Sequence, residues 1–134
     1  LDKRNPQLYS LLSYFDYKKF NGLNISRKNV IDDFLNGLKL KPLIVLVFGS
    51  TAKGNYSSES DIDLLLIYNK KESKDNKLAR DIEATTGTKI QIFLIDFNYF
   101  QEQLLKEEDK VITHAIKTGF PVRGFENFYR ELFK

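Results

Sequence analysis

Cysteine, methionine and tryptophan do not occur in this 134-residue chain, and histidine occurs once, as His114. The lack of cysteine excludes disulfides and thiolate metal sites and fits a reducing, cytoplasmic setting. A zinc site needs several convergent ligands, and no second histidine or cysteine exists to join His114, which therefore reads as a polar residue on a helix face. No apolar run approaches the ~20 residues of a membrane-spanning helix, and no segment reads as a secretory signal. The missing methionine carries a different message. A natural reading frame needs an initiator, so a chain running from Leu1 without one is expected to be a fragment or internal domain, with the missing part upstream.

Neither sign of charge dominates. Twenty-one basic and 18 acidic residues leave a net charge of +3 and a pI near 9.0, with acids scattered among the lysines. Such a balance permits a nucleic-acid surface but does not indicate one. Hydrophobic residues at 42% and charged residues at 29% describe a soluble globular protein, and the length suits one domain with a sizeable core. There is no internal repeat and no low-complexity segment.

What is present alternates helical and extended patterns. From Asn5-Pro6, apolar residues Leu8, Leu11, Leu12 and Phe15 recur at helical spacing until Asn21-Gly22. The aromatic group Tyr14, Phe15, Tyr17 and Phe20 on that stretch reads as packing rather than as a base-stacking surface. Ser26 is placed to cap a second helix with Val30, Ile31, Phe34, Leu35 and Leu38 on one face. Leu43 to Phe48 is a continuous β-branched run, the pattern of a strand buried on both faces. A second strand is expected over about 62 to 68, a helix over about 75 to 86 with Leu78 and Ile82 inward, and a third strand from Lys89 to Ile95. Asp81 and Glu83 read as solvent-facing. Asp96 is expected to cap a helix carrying Phe97, Phe100, Leu104 and Leu105. After a break at Glu107-Glu108, another helix carries Val111, Ile112, Ala115 and Ile116 and stops at Gly119. Phe120 to Gly124 suits a short edge strand, and a last helix is expected over about 126 to 133. Strands alternating with helices argue for a layered α/β architecture.

The chemistry concentrates between the first two strands. Gly49 lets the backbone turn tightly and approach a ligand, and Ser50 is placed to cap a short helix whose free amides favour an anion. Past a polar loop, Asp61-Ile62-Asp63 opens the next strand, where residues i and i+2 share a face. Two converging carboxylates repel unless a cation lies between them, and magnesium with phosphate oxygens suits that position.

Gly49-Ser50 followed by Asp61-x-Asp63, twelve residues after the glycine, resembles the signature of the DNA polymerase β-like nucleotidyltransferase superfamily, in particular its minimal, prokaryotic-type domains. Either half alone would be a weak signal; together, each at a strand boundary, they form a specific one. The resemblance covers about residues 40 to 125. It implies an α/β (α+β) fold, a mixed sheet flanked by helices, and a single nucleotidyltransferase domain over 1–134. Within it, a helical pair at 1–40 precedes a catalytic-type core at 41–125 and a C-terminal helix at 126–134. It further implies Mg2+ or Mn2+ on the catalytic Asp61 and Asp63, with the phosphates of ATP or another nucleoside triphosphate held by Gly49, Ser50, Lys53 and Ser60. A nucleoside monophosphate, AMP in the first instance, would pass to a protein or small-molecule hydroxyl.

The chain departs from the family pattern twice. Lys53 stands where the family usually has arginine, keeping the charge and losing the planar fork. Gln91 stands where the superfamily places a third carboxylate, and Asp96, five residues on, should face the other way on a regular strand. A catalytically weak nucleotide-binding or partner-binding module is therefore the competing reading. Relatives of this minimal type include antitoxins that adenylylate HEPN-type toxins and enzymes that modify antibiotics. A third reading is the effector half of a winged-helix regulator, since chains of that kind have an Asn-Pro helix similar to Asn5–Phe20 at the junction. The resemblance leaves room for a HEPN-type partner and for a homodimer.

Overall fold

The computed structural model describes residues 5–134. The first two expected strands form the centre of a four-stranded sheet: β1 (Ile44–Phe48) and β2 (Ile62–Tyr68) pair antiparallel, with Phe48 opposite Asp63 and Ile44 opposite Ile67. Parallel to β2 lies β3 (Ile90–Asp96), and antiparallel to β1 lies β4 (Phe120–Arg123), giving the order β3-β2-β1-β4. The sheet is mixed, as expected. Pro121 sits on the outer strand, where its missing donor breaks no interior ladder.

Because strand side chains alternate, the central strands feed two cores. Val45, Val47, Leu64 and Leu66 face α2 (Ile25–Gly37) and α4 (Asn76–Thr86), packing with Val30, Phe34 and Ala79. Leu46, Phe48, Leu65 and Ile67 face the opposite layer, built from α1 (Pro6–Asn21), α5 (Phe97–Lys106), α6 (Lys110–Thr118) and α7 (Phe125–Leu132), through Tyr9, Phe100, Ile112 and Phe128. A one-turn helix, α3 (Gly49–Lys53), follows β1.

Several sequence expectations hold in detail and several do not. Asp96 caps α5 by accepting from the Tyr99 amide at 2.8 Å. The break after α5 is a left-handed Glu107, and the buried Gln103 carboxamide accepts from the Glu108 and Asp109 amides at 3.0 and 2.8 Å. The cap of α2 is Asn24 rather than Ser26; its side-chain oxygen accepts from both the amide and the hydroxyl of Ser26. Leu105 and Val111 point to solvent.

The face that α1 buries also differs. Tyr9 and Asp16 are buried and Leu12 packs beside them, whereas Leu11, Tyr14, Phe15 and Tyr17 are exposed. Of the aromatic group only Phe20 packs into a core. The physical reason is the partner helix: the Tyr129 hydroxyl of α7 donates to the Asp16 carboxylate, and Phe133 stacks on Tyr9 at 6.4 Å. With these anchors inward, Leu11 and Phe15 of the expected apolar face are left in solvent while Leu12 stays packed.

Candidate nucleotide site

The turn after β1 is built around a close approach. Gly49 has a φ of +70°, a left-handed conformation that favours glycine. A Cβ placed there would lie 2.2 Å from Oδ2 of Asp63, so the carboxylate occupies the volume a side chain would fill. Pairing of Phe48 with Asp63 across β1 and β2 brings the two together. Downstream, α3 starts from an extended Phe48 whose side chain cannot cap it, so among the described residues the first-turn amides have no side-chain cap. Ser50 lies within that helix and is not its cap, which corrects the sequence expectation while leaving the amides it was meant to serve open. Lys53 closes the helix on the exposed side, before a left-handed Gly54.

Asp61 stands immediately ahead of β2 and Asp63 is its second residue, both half-buried. Burial first, and the neighbouring Asp61 charge second, hold the Asp63 carboxyl above the usual aspartate range. Ser60 precedes them in a turn in which its hydroxyl accepts from the Ser57 amide at 3.0 Å and its own amide donates to the Ser57 carbonyl at 3.2 Å.

Gln91 is in register with Asp63 on the adjacent parallel strand and is exposed. Neighbours in register point to the same face, so Gln91 occupies the edge beside the carboxylate. Asp96 lies at the far end of β3, opposite Tyr68, on the other face, and is committed to capping α5. Glu83 is on α4, which covers the opposite side of the sheet, and is exposed, as are Asp81 and His114. Among the described residues no group of three or more histidine, cysteine, aspartate or glutamate side chains comes together. The donor set on offer is two hard carboxylates. It suits a divalent cation whose remaining positions are filled by phosphate and water, and it does not make a dedicated all-protein cage.

One residue escaped the sequence reading. Arg27, in the first turn of α2, is only 4% exposed. Its guanidinium donates to the Thr51 hydroxyl at 3.0 Å and to the carbonyls of Ser57 and Ser60 at 2.7 and 2.6 Å. Its Cζ lies 4.5 Å from the centre of the Tyr56 ring, and the Tyr56 hydroxyl in turn accepts from the Asn24 amide at 2.9 Å. A lone arginine on a polar helix start, far from the motif in sequence, carries no signal of this role.

The family model described as "Polymerase beta, Nucleotidyltransferase" matches residues 29–116, a span that includes Gly49, Asp61, Asp63 and Gln91. Among solved structures, one described as "Crystal structure of the toxin-antitoxin with AMP-PNP" superposes with a TM-score of 0.56 at 17% identity, covering 78% of this chain and 82% of that one. That likeness is one of fold. A search of curated proteins finds no match. With two thirds of its length under the family model, and with a mixed sheet and helical layers consistent with that fold, the chain belongs to the polymerase β nucleotidyltransferase family.

Proposed function

We propose that this domain binds ATP, or another nucleoside triphosphate, with Mg2+ or Mn2+ and transfers the nucleoside monophosphate to a hydroxyl of a protein or small molecule. The observation that carries the reading is the contact between the Gly49 turn and Asp63, which sets uncapped amides beside a carboxylate pair in a chain of nucleotidyltransferase ancestry. In this proposal Asp61 and Asp63 hold the cations and are the catalytic pair. Gly49, Ser50 and the α3 amides bind the β and γ phosphates, Lys53 adds positive charge, and Ser60 shapes the loop that delivers Asp61. Bound divalent cations supply neutralisation of the triphosphate and of charge developing on the leaving group. The acceptor oxygen forms a bond to the α phosphorus, the bond to the bridging oxygen breaks, and pyrophosphate leaves; the acceptor proton must go to a base.

That last requirement favours a second reading, a nucleotide-binding module with weak transfer. Gln91 is neutral and cannot take the proton, and neither Asp96 nor Glu83 lies on its face. Label transfer from α-labelled ATP tests both readings. The parent is expected to label an acceptor slowly, and Gln91→Asp to raise the rate by about 10²–10⁴-fold if general-base loss dominates. Strong parent labelling that Gln91→Asp leaves unchanged would overturn the assignment of Gln91 as the missing base.

The description of the structural neighbour as a toxin–antitoxin with AMP-PNP supports a nucleotide and a protein partner, and we propose that the partner is of the HEPN type, with this domain acting as an antitoxin. The effector half of a DNA-binding regulator is the other module-type reading. A homodimer and a cytoplasmic home complete the proposal; among the described residues no helix is long and apolar enough to cross a membrane.

A further inference from the structure

Arg27 is an expensive residue in its position. A cation in the first turn of a helix opposes the helix dipole. Burying one with no carboxylate partner among the described residues costs more, and its partners here are two carbonyls and a hydroxyl. Those partners belong to two different segments. Thr51 lies in α3, just after Gly49-Ser50, and is itself 1% exposed. Ser57 and Ser60 lie in the loop that runs into Asp61, whose charge is also felt at the guanidinium. Tyr56, from the same loop, closes over the guanidinium face. One planar fork therefore ties the phosphate-side turn to the carboxylate-side loop, and both to the start of α2.

We propose that Arg27 is a positioning residue, whose bridge from Thr51 to Ser57 and Ser60 fixes the spacing between the Gly49-Ser50 turn and Asp61 before a ligand arrives. It touches neither phosphate nor metal in this role and acts through the segments it holds. The proposal rests on the nucleotide-site reading above. A lysine cannot replace it, because a single ammonium lacks the planar fork that reaches all three acceptors together.

The test measures two things on the parent, Arg27→Lys and Arg27→Met: amide hydrogen exchange, and calorimetric affinity for Mn2+–ATP at a temperature where each is folded. Both variants are expected to speed exchange across residues 55–61 while the amides of Val45–Phe48 and Leu64–Ile67 keep parental rates. Affinity is expected to fall about 10–100-fold, the usual effect of losing a group that orients metal ligands. A residue serving stability alone would leave the affinity of the folded variants unmoved. Should Arg27→Met not fold, Thr51→Val removes one arm of the bridge and is expected to act in the same direction. A parent that binds Mn2+–ATP while Arg27→Lys binds equally well, or while loop exchange stays parental, overturns this proposal alone. A parent that binds none overturns the nucleotide-site reading and this proposal with it.

Discussion

Asp63 is a carboxylate placed where the folded protein disfavours its charge. Burial and Asp61 raise its pKa relative to the unfolded chain. At pH values between the unfolded and folded pKa the native state binds more protons, so stability falls as pH rises through that window. Asp63→Asn removes the penalty. The variant is expected to melt higher than the parent at pH 7, with the difference shrinking as pH drops below the ordinary aspartate range. Thermal melts across pH check this, and a parent that outlasts the variant at neutral pH would contradict it. Gly49 could be singled out from the sequence, since strand, glycine and two aspartates lie within one short window. Arg27 could not, because its three partners are 24 to 33 residues away and two of them are backbone carbonyls.

At the scale of elements, the strands were the most legible part of the chain. The runs 44–48 and 64–68 are so uniformly apolar that burial on both faces leaves no alternative arrangement. Helix α1 was misread for a reason of equal clarity: its orientation is decided by α7, more than a hundred residues away, through Tyr129 and Asp16. Asp16 is 2% exposed, and burial raises its pKa while the Tyr129 hydroxyl bond lowers it. Tyr129→Phe leaves that carboxylate with Lys19 at 4.0 Å as its nearest cation among the described residues. The loss is expected to cost about 1–3 kcal/mol, the penalty for a buried polar group stripped of its partner. Urea unfolding should show a lower midpoint at an unchanged slope. An unchanged midpoint would mean that the Asp16–Tyr129 contact does not anchor α1.

Across the whole molecule, sheet order places the site. Because β1 and β2 are central and antiparallel, the end of one meets the start of the other, and Gly49 meets Asp63 there. The parallel β3 then sets residue 91 beside residue 63, so a neutral glutamine stands at the edge next to the carboxylate. In the proposed function, binding rests on the turn and the carboxylate pair, whereas chemistry needs a base that Gln91 cannot be. Binding is the more direct claim to test. Calorimetry with ATP, with and without Mn2+ or Mg2+, on the parent and on the Asp61→Asn/Asp63→Asn double variant is predicted to give metal-dependent binding in the parent and loss of that dependence in the variant, with the fold intact by circular dichroism. Equal ATP affinity in the two proteins would contradict the assignment of the site.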